Sequence, residues 1–393
     1  MKRTIVVLLI AIALCSPLAA IAQEPQQIDT SMTIRQVIGA LKAQHPGLAI
    51  TGQALAHELE LAVDVDKNTP LDELGVNQQQ LEAQVAHLLG HEESGAQYLK
   101  YPLYVLLVMI AMAYLLKLGI PRNADPKQRR SYYPQWVYVA VLIFSVLVLG
   151  FALGKSPNPM EGAVKVFKSS VGLYESFWVK FGLASFFLAL AIVANKAVCG
   201  WACPFGSLQE LIYMLPLARK IKRRRMPFWL TNGLRVLLFV VFLLLLYGVI
   251  GRKGYVIYHK LNPFNLFNLD FSDMLIIGFA ALYLVLSLFF YRPFCRLICP
   301  FGLISWVVER LSLTRVRIDF ERCIDCRACE KACPLSAAKD RLDKRLLPAD
   351  CFSCMRCLRV CPVDAIHYRP VWGPPSLPVE SVHAVTAADS VDP

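Results

Sequence analysis

Eight of the chain's 13 cysteines fall into two runs near its end. The first is Cys323-x-x-Cys326-x-x-Cys329-x-x-x-Cys333-Pro334, and the second is Cys351-x-x-Cys354-x-x-Cys357-x-x-x-Cys361-Pro362. Each matches the run with which bacterial ferredoxins ligate 4Fe-4S clusters. Three thiolates spaced two residues apart wrap one cubane. The fourth, followed by proline, is aimed elsewhere, and in two-cluster ferredoxins it ligates the other cluster. One cluster is therefore assigned to Cys323, Cys326, Cys329 and Cys361, and the other to Cys351, Cys354, Cys357 and Cys333. Pairs of C-x-x-C also hold zinc, but two complete four-cysteine runs, each closed by Cys-Pro, argue for clusters. The chemistry implied is one-electron transfer.

A second pair of motifs repeats an octet. Cys199-Gly-Trp-Ala-Cys203-Pro204-Phe205-Gly206 and Cys295-Arg-Leu-Ile-Cys299-Pro300-Phe301-Gly302 both follow long apolar stretches. Cysteines at i and i+4 share one helix face, and proline then ends or kinks that helix. Two such helices related by a pseudo-two-fold would bring four thiolates together. Cys199, Cys203, Cys295 and Cys299 are thus a candidate additional redox or metal centre. Four soft ligands suit an Fe–S cluster, Cu(I) or zinc, and would equally suit a dithiol relay. Buried packing cysteines are the bland alternative, which the duplication of the whole octet disfavours.

The elements that must position these cysteines are mostly apolar. Of 393 residues, 56% are hydrophobic and 18% charged, a membrane composition with polar parts attached. No cysteine occurs between Cys15 and Cys199, which a disulfide framework would not leave empty and a cluster protein facing a reducing compartment would. The net charge of +12 comes with basic residues beside apolar stretches, where membrane topology puts them, so no nucleic-acid partner is expected.

Residues 1–22 read as a signal peptide: Lys2 and Arg3, an apolar run, then Ala20-Ile21-Ala22. Residues 23–98 read as a small exported helical domain. Thr33 caps a helix with Gln36 at the capping-box position, Thr69-Pro70 starts a short helix that stops near Gly75, and a third helix runs from Asn77 to Leu89. Five stretches of membrane length follow, at about 102–120, 135–153, 178–198, 231–251 and 273–291. They make residues 99–311 a transmembrane bundle containing both octets. Basic runs in the first and third loops place those loops in the cytoplasm, and the C-terminus with them. Residues 312–369 form the two-cluster ferredoxin domain, and 370–393 a disordered tail. The fold class expected is an α-helical bundle of about five spans with a cytoplasmic α+β ferredoxin domain and an exported helical domain. Loop residues Tyr255, Tyr258 and Phe264 read as an aromatic interface belt. The turn-rich loop 155–162 reads as a connector or as a contact for a quinone or partner protein.

Twin C-x-x-x-C-P motifs on membrane helices, followed by two ferredoxin runs, resemble the polyferredoxin membrane proteins of the NapH, NosR and CcoG type, over about residues 102–368. The resemblance implies electron transfer between quinol or an exported redox partner and the clusters, support of a periplasmic reductase, or copper reduction. It also implies the bacterial inner membrane. Residues 23–98 are too short and too helical to resemble the flavin-binding domain of the nitrous-oxide member. The reading is therefore a membrane-bound iron–sulfur electron carrier. Its rivals are a metal reductase that uses the membrane cysteines and an assembly protein with structural clusters.

Leader and charge bias together put residues 23–98 and the C-terminus on opposite sides of the membrane. Alkaline phosphatase fused after residue 98 should be active, and fused after residue 368 inactive. Activity at both junctions refutes this topology.

Overall fold

The structure is a computed structural model that describes residues 28–44, parts of 52–89, 98–116, 134–173, 177–215, 225–251, 253–268, 274–345 and 347–371. The expected signal peptide at 1–22, the basic runs within 117–133 and 216–224, and the tail beyond 371 lie outside the described residues. The chain divides into two compact units, Met1–Glu92 and Glu93–Pro393.

In the first unit the capping box at Thr33 forms as read. The Thr33 N–H donates to Gln36 Oε1 at 2.9 Å, and the Gln36 N–H donates to Thr33 Oγ1 at 3.3 Å. The helix Ile34–Gln44 buries Ile34, Val37 and Leu41 against Leu55, Leu59 and Leu81. Asn77 caps the helix Gln78–Leu89 by accepting from Gln80 N–H at 2.7 Å. The helix expected after Thr69-Pro70 does not form. Pro70 pairs with Thr33 in an antiparallel bridge, and residues 71–75 close a turn that ends on left-handed Gly75. Pairing holds Pro70 extended, and five residues before a glycine are too few to repay helix nucleation.

Among the described residues, the second unit has three helices long and apolar enough to cross a membrane: Gln135–Ala152, Phe177–Ala194 and Phe228–Leu246. Two shorter apolar helices, Lys100–Leu116 and Met274–Phe289, occupy the other two expected stretches. Around them, Trp136, Trp178, Trp229, Val179 and Met274 are exposed large apolar side chains, the surface expected of a chain that faces lipid. Of the belt expected at Tyr255, Tyr258 and Phe264, Tyr255 is exposed, but Tyr258 and Phe264 are a correction: both are buried to within 1%. Phe264 packs on Phe205 and Phe294, one ring in and one just before the two octets, and Tyr258 packs on Phe242. This connection therefore folds inward as core.

Each octet turns the chain sharply. The first passes through a π-helical turn, Val198–Ala202, then starts the helix Pro204–Met214. The second passes through Pro293–Leu297 and starts Pro300–Val308. Proline at the first helical position suits both starts. The far end of Gln135–Ala152 is also π-helical, from Ser145, and Ser145 Oγ donates to Ala202 O at 2.7 Å, which ties the two π segments together. π-Bulges of this kind often mark functional sites. The terminal glycine of each octet is a close-approach position. A Cβ on Gly206 would stand 2.8 Å from Cys199 O and 3.0 Å from Arg292 Nη1; on Gly302 it would stand 2.5 Å from Cys295 O and 3.3 Å from Arg235 Nη1.

The ferredoxin part is a two-stranded antiparallel sheet, β1 (Thr314–Ile318) on β2 (Ile366–Pro370), in a register that sets Thr314 opposite Pro370 and Ile318 opposite Ile366. Between the strands lie the short helices Ala328–Ala332, Ala337–Leu342 and Arg356–Val360. This α+β segment is joined to the bundle through β1: Thr314 Oγ1 donates to Val193 O at 2.6 Å, and the Leu313 N–H donates to Ile192 O at 2.7 Å.

Gly302→Ala should destabilise detergent-solubilised protein by about 1–3 kcal/mol through overpacking. Gly278→Ala, where no atom lies within 4 Å of the added Cβ, should be neutral or slightly stabilising because alanine favours helix. Equal thermal shifts in the two variants would contradict the close approach described.

Candidate iron–sulfur electron-transfer site

The four octet cysteines come together. Cys199, Cys203, Cys295 and Cys299 are each 7–8% exposed within one core. Cys199 and Cys295 each feel the charge of Cys203 and Cys299. All four are free thiols. The second cysteine of each octet stands at the start of the following helix. The N–H groups of Phe205 and Gly206 reach Cys203, and those of Phe301 and Gly302 reach Cys299. Burial pushes both thiols above the usual thiol range, and these backbone donors oppose it only in part. The arrangement therefore places four buried thiols from the two octets in one core.

The ferredoxin cysteines form two groups. Cys323 and Cys361 lie near Cys329. Cys333 lies near Cys354 and Cys357, and with Cys351 these line one small apolar cavity. The fourth cysteine of each run has thus crossed to the other run. Cys326 is exposed beside Ile324. The loops repeat a backbone signature. Asp325 and Arg327 in the first run, and Ser353 and Met355 in the second, have φ between 48° and 55°. Non-glycine residues there are uncommon. Alternating hands turn successive N–H groups inward, the concavity that receives phosphates and Fe–S groups. The Ala365 N–H donates to Cys361 Sγ at 3.2 Å, the kind of bond that tunes cluster potential. Among the described residues no three His, Cys, Asp or Glu groups converge as ligands of a single metal ion. Free thiols, inward N–H groups and the shared cavity fit a polyatomic cluster.

The second run packs directly on the first octet. A Cβ on Gly200 would meet Phe352 O at 2.0 Å, and Trp201 Nε1 donates to Ser353 O at 3.1 Å. A buried charge network closes around this contact. Lys196, three residues before Cys199, bonds Asp350 and donates to Gly302 O of the other octet at 3.2 Å. Arg292, three residues before Cys295, donates to Cys199 O and, at 2.8 Å, to Gly200 O. Each cation therefore serves the other repeat. Arg235, from within Phe228–Leu246, meets Asp350 Oδ2 at 2.8 Å. Glu210 bridges Arg292 Nε at 3.0 Å and Arg356 Nη2 at 2.5 Å. Burial pushes the Glu210 and Asp350 carboxyls up, but the Arg356 and Arg292 charges at Glu210 and the Lys196 and Arg235 charges at Asp350 outweigh it and hold both below the usual carboxylate range.

The sequence reading missed this network. One signal was available: Arg235 is an ionisable residue inside an apolar span, which marks function by default. Lys196 and Arg292, at matching positions before the two octets, were a second.

On another side of the thiol centre, Tyr104 lies near Cys203 and Cys199. Lys100 Nζ donates to Gly154 O and feels both Glu161 and Cys203. Asn158 caps the helix Pro159–Ser170 by accepting from Glu161 N–H at 2.9 Å, and Ser156 Oγ donates to Glu161 Oε2 at 2.5 Å. The 155–162 segment is thus a built polar cluster, which Lys100 joins through Gly154 O and the charge of Glu161.

Comparison with known proteins places these features in a family. A 4Fe-4S binding domain family matches residues 177–225 and 272–319, one octet in each, and a second 4Fe-4S binding domain family matches 314–335. YccM of Escherichia coli K12 is 33% identical over 167 residues, covering 40% of this chain and 46% of that protein. The ferredoxin-type protein NapH of Haemophilus influenzae is 29% identical over 161 residues, covering 39% and 52%. The regulatory protein NosR of Pseudomonas aeruginosa is 26% identical over 254 residues, covering 58% and 33%. The chain thus spans about half the length of the first two and a third of the last. No solved structure matches it. In its cysteine runs, twin octets and apolar helices, the chain is similar to these ferredoxin-type proteins over the residues matched.

Proposed function

We propose that this protein passes single electrons along three thiolate-held centres. The first is held by Cys199, Cys203, Cys295 and Cys299, the second by Cys333, Cys351, Cys354 and Cys357, and the third by Cys323, Cys326, Cys329 and Cys361. The observation that carries this reading is the contact of Gly200 with Phe352 O, which brings an octet against a ferredoxin run with no intervening element. Electron exchange falls steeply with distance, so such a contact suits transfer. When bound, the clusters supply reversible one-electron chemistry. The chain's own residues hold them, exclude water and set their potentials through burial, charge and bonds to sulfur.

The polar cluster of Lys100, Tyr104, Ser156, Asn158 and Glu161 supports a quinone or an exported redox protein as the partner at the thiol centre. Exposed Cys326 and Ile324 support exchange with a second partner at the third centre. Sidedness follows from the basic loops: the ferredoxin domain faces the cytoplasm of a five-span protein in the bacterial inner membrane.

Protein purified anaerobically should carry at least about eight iron per chain in the ferredoxin domain. Cys326→Ser should remove or convert one 4Fe-4S signal and leave the other. Zinc in place of iron sinks the reading. Cys199→Ser and Cys299→Ser should each block transfer between a quinol donor and the ferredoxin signals, with non-additive losses in a double-mutant cycle. Wild-type rates in both single variants would demote the octet cysteines to packing.

A further inference from the structure

The two cations that precede the octets converge on one aromatic ring. Lys196 Nζ lies 5.7 Å from the centroid of Phe352, and Arg292 Cζ lies 5.1 Å from it. Both cations are buried to within 1%. Phe352 sits between Cys351 and Ser353, and its carbonyl oxygen is the atom that meets Gly200. Arg292 holds a left-handed backbone at φ 47°, a conformation that is strained for a non-glycine residue and persists only where the surroundings over-determine it. Arg292 is over-determined: its guanidinium bonds Glu210, Cys199 O and Gly200 O at once.

Charge is unevenly shared between the two ferredoxin centres. Near the second-run cysteines, Arg341 feels Cys351, Cys357 and Cys333, Arg356 lies near Cys354, and Arg296 near Cys333. With Lys196, Arg235 and Arg292, these cations outnumber the carboxylates among them, Glu210, Glu309 and Asp350. Around the first run, acidic Asp325 and Glu330 answer Arg327, and Asp319 answers Arg322.

We infer that Lys196 and Arg292 are positioning residues: one from each repeat, they clamp Phe352 and make the second-run centre the proximal and higher-potential partner of the membrane thiols. This rests on the electron-carrier reading and adds an order to it. In the step concerned, the octet centre loses one electron and the Cys333, Cys351, Cys354 and Cys357 centre gains it; no bond or proton moves. The added electron makes a cluster more negative, so cations held in a dry setting favour its reduced state. The external reductant is the quinol or exported redox protein.

The test is an anaerobic EPR redox titration of the full-length protein, with Cys326→Ser identifying the distal signal. In wild type, the signal that survives Cys326→Ser should have the higher midpoint potential. Arg292→Gln should disfavour reduction of that signal about tenfold, about 59 mV for one electron, and leave the distal signal unmoved. Lys196→Gln should act in the same direction on the same signal, and Arg292→Lys should restore it. If Arg292→Gln does not assemble, Lys196→Gln, Arg292→Lys and the wild-type order decide. A surviving signal of lower potential, unmoved potentials, or a shift confined to the distal signal overturns the clamp. Absence of two 4Fe-4S signals from wild type instead overturns the electron-carrier reading and is distinguishable by iron analysis.

Discussion

Everything in the second unit is arranged around charges that have left water together. Asp350 is 1% exposed and meets Lys196 and Arg235; Glu210 is fully buried between Arg292 and Arg356. Each ion costs several kcal/mol to bury, and stripping one partner from such a pair costs about 3–5 kcal/mol. A hydrophobic junction of equal volume would be no less stable. What ionic pairing adds here is geometric: Lys196 and Asp350 are 154 positions apart and Arg292 and Glu210 are 82 apart, so the first pair forms only when octet flank and ferredoxin loop are both in place, and the second only when the two octets' surroundings meet. The charges are a register device, and they also bring positive potential beside thiolates.

The two octets explain each other once that junction is seen. Proline starts a helix, the N–H groups of the next two residues face the second cysteine, and glycine lets the first cysteine's carbonyl and a cation approach. Lys196 reaches Gly302 O, and Arg292 reaches Cys199 O. This reciprocal reach ties the two repeats together, so a defect in either half should propagate to the other.

The sequence made part of this legible. Cysteine spacing pointed to 4Fe-4S binding because ligation of a cubane leaves few other spacings open, and the nearness of Cys361 to Cys329 and of Cys333 to Cys354 and Cys357 accords with the exchange of fourth cysteines expected from two-cluster ferredoxins. Apolar length announced the helices. The charged junction was illegible because pairing over such separations leaves no local pattern, and Lys196 at a helix end reads as an ordinary topology signal. Tyr258 and Phe264 misled for a related reason: an aromatic beside a membrane span reads as a belt, and only tertiary packing on Phe205 and Phe242 makes it core. The turn at 71–75 was decided by a bridge from Thr33 to Pro70, again a partner distant in sequence.

The central claim is a line of three centres with the second-run cluster in the middle. Low-temperature EPR of the fully reduced full-length protein tests it most directly, because neighbouring paramagnets split and broaden one another. The account predicts that the middle cluster shows magnetic interaction with both neighbours, and that Cys199→Ser removes one of the two interactions while the pairing within the ferredoxin domain survives. Ferredoxin signals unchanged by Cys199→Ser, with no trace of a third spin in the wild type, would contradict it.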